Sequence, residues 1–500
     1  MLTWTALPSR LSGEKAMIRP TAFFSLLLAL PLTAHADPAA DYAEHCAACH
    51  GEDRLGGTGP ALIPETLGRV RGIDTVIAQG RVSTQMEGFA DRLSPESITA
   101  LVDYVTAPLD HRPDWSAEQI AASREMNPDY QPAEKPVFAA DPLNITLVVE
   151  TGDHHVSVLD GDTFEVLARF ATPFAVHGGP KFSPDGRFVY IMSRDGWVQK
   201  YDIWSLAEVG RIRAALNSRN IAISPDGQRI AVANYLPESL TILDSDLNPL
   251  RLIATQVDGT PSRVSAVYQA PQRHSFVLAL KDAPEIWEVA TTDLSIRRIP
   301  IDEPLDDFFF SPDYRQLIGA NRDGDKGVAI DLDDGHKVAE LPLPGMPHLG
   351  SGITWERDGR RVMATPHLGE GVLSVIDMQD WSLVKQIKTS GPGFFLRGHA
   401  TSPYVWADVF FGPHKDEMHV IDKQTLEIVK TLAPFPGQTF AHSEFTRDGS
   451  HVLVSLWEDE GAVVIYDAKT LDEVKRLPMR KPSGKYNVWN KITFEDGTSH

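Results

Sequence analysis

Only two cysteines occur in 500 residues, Cys46 and Cys49. None is left for a structural disulfide, and no second pair exists to complete a thiolate zinc site. Positive charge is also short: 47 Lys and Arg stand against 68 Asp and Glu, a formal net charge of −21. That balance argues against nucleic acid as a partner, since phosphates need a clustered basic surface. It suits a basic redox partner and plain solubility equally. Long apolar runs are missing too. The run from Ala22 to Leu32 is too short to span a bilayer comfortably, so no stable membrane insertion is expected. Arg10, Lys15 and Arg19 precede it and Ala34-His35-Ala36 follows, the pattern of a secretory signal over residues 1–36, with Met17 as an alternative start. The expected location is the periplasm.

What is present begins with Cys46-Ala47-Ala48-Cys49-His50. C-x-x-C-H sets two thiols one helical turn apart, so both can add to the vinyl groups of one haem while His50 meets the iron. A thioredoxin-like site would need a βαβ context that is absent. Residues 39–49 favour a helix leading into the haem, and Gly59-Pro60-Ala61-Leu62 resembles the loop after the motif in class I cytochromes c. A last helix, 94 to 105, opens on Ser94-Pro95-Glu96, an N-cap followed by proline at N1. Met86 stands in the loop before it, where these cytochromes present the second axial ligand. A thioether there raises the potential, which suits an electron acceptor. Residues 37–112 are therefore expected to form a small all-α class I cytochrome c domain with covalent haem c.

A proline-rich stretch, 113–140, reads as a linker. Beyond it the chain turns to short alternating strands. Ser183-Pro184-Asp185-Gly186 recurs as Ser224-Pro225-Asp226-Gly227, Ser311-Pro312-Asp313-Tyr314, Glu356-Arg357-Asp358-Gly359 and Thr446-Arg447-Asp448-Gly449, with degenerate copies near Ala270-Pro271-Gln272 and Ala400-Thr401-Ser402-Pro403. A period of about 40–45 residues with hairpin turns marks propeller blades. Residues 141–500 are expected to form an all-β eight-bladed propeller; a solenoid would need helices that are nearly absent. If each innermost strand ends at its Asp-Gly turn, then His177, Arg219, Asp306, His348 and His442 line one mouth of the central channel, and His367 lies on a different strand end. Any one of them could be a hydrogen-bonded structural residue. As a set they point to a ligand or metal centre.

A cytochrome c domain before an eight-bladed propeller resembles the cytochrome cd1 nitrite reductases and their paralogues, the NirN-type dihydro-haem d1 dehydrogenases. The residues that carry the likeness are Val176-His177-Gly178-Gly179-Pro180 with Ser193-Arg194-Asp195-Gly196, Pro347-His348-Leu349-Gly350-Ser351-Gly352, Thr365-Pro366-His367-Leu368-Gly369-Glu370-Gly371, and Ser483-Gly484-Lys485-Tyr486-Asn487-Val488-Trp489-Asn490. The resemblance implies haem d1 or dihydro-haem d1 in the channel with His177 on its iron. Arg194 and Arg219, and less strongly Lys181, would pair with its carboxylates, and Tyr235 and Phe395 would pack against it. The reductases keep two distal histidines; here His348 matches one, Asp306 stands for the other, and His442 is new.

The resemblance therefore implies a dehydrogenase of haem d1 synthesis that turns a propionate side chain into an acrylate. His442 is favoured as base beside His348, and the covalent haem is the electron sink. A periplasmic electron acceptor is implied as a partner, as is nitrite reductase as recipient of haem d1. The alternatives are a nitrite reductase and a non-catalytic haem d1 carrier. A quinoprotein dehydrogenase fits less well, since its repeated tryptophan motifs and calcium site are not visible.

Overall fold

In the computed structural model, residues 37–499 are described except 58, 68, 69, 82–85, 112, 113, 174 and 322–325. The expected signal peptide, residues 1–36, lies outside the described residues, as do Val82, Ser83, Thr84 and Gln85 of the loop leading to Met86.

The N-terminal domain is helical. Asp37 caps the helix Pro38–His45 by accepting from the Ala39 and Ala40 N–H groups, and the helix runs through Cys46 into the short turn Ala47–His50. The last helix, Pro95–Thr106, starts as its sequence demands: Ser94 accepts from Ser97 N–H and Pro95 occupies the first turn. First and last helices meet at Tyr42 and Tyr104, ring centroids 5.5 Å apart. Leu101, Ile98 and Phe89 fill the small core between them. Burying one such side chain contributes about 1.5–3 kcal/mol, so a core this small is modest on its own.

The rest is a propeller. Among the described residues, eight antiparallel sheets of four strands follow one another, the second widened to five. The first blade is closed by both ends of the chain: Pro482–Asn487 is its innermost strand and pairs with Ile145–Glu150. The other innermost strands are Lys181–Phe182, Asn217–Ile223, Val264–Ala270, Asp307–Phe310, Ile353–Arg357, Leu396–Gly398 and Phe440–Phe445, opening blades 2 to 8 in turn. Each leads into a turn the sequence marked, the two degenerate copies included.

The turn chemistry explains the repeat. Ser183 Oγ donates to Asp185 and accepts from Phe188 N–H, and Asp185 accepts from Arg187 N–H. The same bonds recur at Ser224, Ser311 and Thr446. A side-chain oxygen that satisfies turn amides holds the hairpin without help from neighbouring blades.

The proline-rich stretch does more than connect. Residues 117–122 form a helix with a complete capping box between Ser116 and Gln119. Ile120 is buried in the apolar cluster of blades 2 and 3, and Glu125–Met126 adds a strand to the edge of blade 2. Seen as sequence, its prolines hid a short amphipathic turn. Among the described residues no helix is long and apolar enough to cross a membrane.

Candidate functional site

Cys46 and Cys49 are not joined to each other, and burial pushes the Cys46 thiol up to about 11. His50 is buried, with Nδ1–H donating to the Pro60 carbonyl at 2.8 Å. That bond fixes the tautomer and leaves the lone pair on Nε2, the arrangement a metal-binding imidazole needs. Burial also holds the ring below its ordinary pKa and so neutral. Gly59 lies flat against it: a Cβ at 59 would stand 2.6 Å from His50 Cε1. Gly59→Ala is therefore expected to displace the imidazole and lower the haem c content and melting temperature of the purified protein, an overpacking cost of about 1–3 kcal/mol. Met86 shares the apolar cluster that holds Cys46 and Ala47, whereas His45 packs against Phe89.

The same arrangement recurs at the channel mouth. His177, in the loop before blade 2, donates Nδ1–H to the Arg219 carbonyl at 2.9 Å. Burial and the charges of Arg194 and Arg219 keep it well below its ordinary pKa. The Arg219 guanidinium lies over the ring, 3.2 Å from both nitrogens. Arg194 reaches the Ser218 carbonyl through Nη1, while its buried Nε has no hydrogen-bond partner among the described residues. Arg194 and Arg263 both stack on Tyr235, at 5.3 and 5.5 Å.

Burial pushes the Tyr235 phenol up, but the charges of Lys281, Arg219, Arg194 and Arg263 outweigh it and bring it down to about 7. A near-ultraviolet phenolate titration centred near pH 7 is expected for the ligand-free protein and should vanish in Tyr235→Phe. Because the folded value is depressed below an unfolded tyrosine's ~10, its stabilising contribution is full above that pH and fades as pH falls through 7.

The facing wall carries His348 and His442. His348 donates Nδ1–H to the Phe394 carbonyl at 2.7 Å, which leaves its lone pair on Nε2, 3.9 Å from Asp307. Asp307 also accepts from Gly350 N–H at 2.7 Å. His442 sits at a β-bulge in Phe440–Phe445, with φ 52°. Its backbone N–H donates to Asp408, and its Nδ1 accepts from Lys485 N–H at 3.4 Å. Burial and the charges of Lys485, Arg397 and Lys491 hold it well below its ordinary pKa. Phe395 separates the two histidines, 6.3 Å from the His348 ring and 4.4 Å from that of His442.

One expected channel residue, Asp306, does not join this group in the same way, and His367 stays apart from it as its strand end implied. Asp306 forms an ion pair with Lys281. His367 is wholly buried, with one ring nitrogen on the Pro344 carbonyl and the other on Ser374 Oγ, and is structural.

Residues 140–491 match the family described as cytochrome D1 heme domain. The chain belongs to that family. Residues 33–105 match the family described as cytochrome C oxidase, cbb3-type, subunit III. A dihydro-heme d1 dehydrogenase of Pseudomonas aeruginosa is 54% identical over 483 residues, 95% of this chain and 98% of that protein. A solved structure of dihydro-heme d1 dehydrogenase NirN in complex with dihydro-haem d1 matches with a TM-score of 0.79 at 54% identity, covering 91% of this chain and all of that one. More distant is a nitrite reductase of Stutzerimonas stutzeri, 26% identical over 90% of this chain and 92% of its own length. Protein NirF of P. aeruginosa is 32% identical over 68% of this chain and 90% of its own length.

The family implies haem c in the first domain and a haem d1-type macrocycle in the propeller, and the residues fit both. His50 and His177 each commit Nδ1–H to a carbonyl, which leaves the Nε2 lone pair as the donor to a metal, with the Arg219 guanidinium lying beside it at His177. The unpartnered Arg194 Nε, within a wall of Arg219, Arg263 and Lys281, asks for an anionic ligand. Gly179, at φ 69°, lets Tyr486 close on the loop after His177: a Cβ there would lie 2.8 Å from the Tyr486 ring. Asp307, Asp408 and Arg263 went unremarked in sequence. Asp307 could have been found from strand alternation, which turns it and not Asp306 toward the Gly350 loop. Asp408 and Arg263 carry no such signal.

Proposed function

We propose that this oxidoreductase of haem d1 biosynthesis acts in the periplasm, oxidising a propionate side chain of dihydro-haem d1 to an acrylate. A CH2–CH2 unit becomes CH=CH, releasing two protons and two electrons. Attached haem c supplies a one-electron acceptor, so the electrons leave singly. His177 holds the substrate iron through Nε2, and Arg194 and Arg219 take its carboxylates.

The observation that carries the reading is the state of the two facing histidines. His348 keeps an Nε2 lone pair beside the Asp307 carboxylate, which favours the imidazolium formed on taking a proton. His442, the base favoured from sequence, accepts at Nδ1 and so carries its hydrogen on Nε2; the surrounding cations make it a poor proton acceptor. His348 is therefore the base, and His442 donates Nε2–H to the side-chain carboxylate of the substrate. Leu216, just before the strand Asn217–Ile223 that carries Arg219, and Leu236, next to Tyr235 at the end of the strand Arg229–Leu236, pack against Leu55, Ala61 and Ile63 of the cytochrome loop. This contact favours electron flow within the chain. An external periplasmic acceptor then reoxidises the protein, and nitrite reductase receives the product.

The test mixes purified oxidised protein with dihydro-haem d1 without oxygen. The product should weigh two hydrogens less, with two haem c groups reduced per product. Unchanged bound ligand would leave a carrier. Product without haem c reduction would remove haem c as the sink.

A further inference from the structure

We propose that Asp408 is the positioning residue that sets both facing histidines through the backbone. Its carboxylate, 1% exposed at the end of the strand Tyr404–Asp408, accepts three N–H groups from two separate segments. Phe394 and Phe395 N–H reach Oδ1 at 2.8 and 2.9 Å. His442 N–H reaches Oδ2 at 3.0 Å. Phe394 is the residue whose carbonyl takes the His348 Nδ1–H. One carboxylate thus ties the bulge that presents His442 to the loop that fixes the tautomer of His348.

The bulge explains why a carboxylate is needed. Across blade 8 the pairing jumps from Ala441 to Ser443, so His442 is the extra residue and its N–H has no ladder partner. Buried in this way the amide must be satisfied, and Asp408 satisfies it. The two consecutive amides of Phe394 and Phe395 converge on the other oxygen, a small nest of donors that suits an anion. Phe395, held by the second of them, is the ring between the two histidines. Without Asp408 the spacing of His348, Phe395 and His442 has no common reference. Asp408 touches no reacting atom and acts through its neighbours.

This inference rests on the proposed roles of His348 and His442, and the test separates the two. Asp408→Asn keeps the shape and one acceptor oxygen, but sets an amide N–H2 against a backbone donor. Asp408→Ala removes both acceptors; should it fail to fold, Asp408→Asn carries the test alone. Histidine ring nitrogens are followed by NMR on 15N-histidine protein without substrate, with His348→Ala and His442→Ala giving the assignments. In Asp408→Asn the ring signals of both histidines should shift, turnover should fall about 10²-fold, as for a misplacement of about 1 Å, and substrate affinity should hold. Adding His348→Ala should then cost far less than it does in the parent. Unmoved ring signals overturn the proposal, whatever turnover does. Shifted signals with full turnover uphold the positioning and overturn the catalytic reading of the histidines.

Discussion

Replacing His348 by Ala is expected to slow conversion of dihydro-haem d1 by about 10²–10⁴-fold, the ordinary contribution of a positioned general base. Substrate affinity should be nearly unchanged, because the cationic wall and His177 belong to blades 2 to 4, whereas His348 stands in the loop before blade 6. Two observations set the size. His348 Nδ1 is committed to the Phe394 carbonyl, so the ring can take a proton only at Nε2. The Asp307 carboxylate, 3.9 Å from that nitrogen, then stabilises the cation. His442→Ala should cost less, since the ring that is lost accepts a hydrogen bond at Nδ1 and resists protonation among three cations. Stopped-flow reduction of haem c at saturating substrate measures both variants. A larger loss in His442→Ala would exchange the two roles.

The blades were legible because four of their hairpin turns, at Ser183, Ser224, Ser311 and Thr446, are held by their own side chains and set the period for the rest. The Ser183 and Asp185 pattern satisfies turn amides within six residues, so selection leaves it in the sequence at every blade it serves. The haem motif was legible for the same reason: two thiols and an imidazole within five residues are a local constellation. The strand-end rule also found His177, Arg219, His348 and His442, since channel-lining positions repeat with the blade.

What escaped was everything that depends on two blades at once. Asp408 joins segments of blades 7 and 8 through backbone amides, which leave no residue-type signal. The bulge at His442 is a backbone irregularity, which no residue type announces. His367, already set apart from the channel by its strand end, is satisfied on both nitrogens. Periodicity says which residues reach a channel. It does not say which ring nitrogen keeps a lone pair, and that detail decides between a base and a donor.

Replacing Arg219 by Gln should weaken binding of dihydro-haem d1 by about 30- to 5,000-fold, the range for removing one member of a buried charge pair at about 2–5 kcal/mol. Its backbone carbonyl, which holds His177 Nδ1–H, is untouched by the substitution, so the iron ligand keeps its tautomer and the loss reports the guanidinium alone. The Tyr235 phenol supplies an internal check. Arg219 is one of the charges that bring it down to about 7, and without that charge its titration must move to higher pH. Turnover at saturating substrate should stay close to that of the parent, because Arg219 holds carboxylates that keep their charge throughout, a uniform contribution to ground and transition states. Equilibrium titration of the ligand against each variant, followed by single-turnover kinetics at saturation, separates the wall that binds from the wall that reacts. Should Arg219→Gln lower the saturated rate as much as His348→Ala while affinity holds, the guanidinium would belong to the reacting side of the pocket.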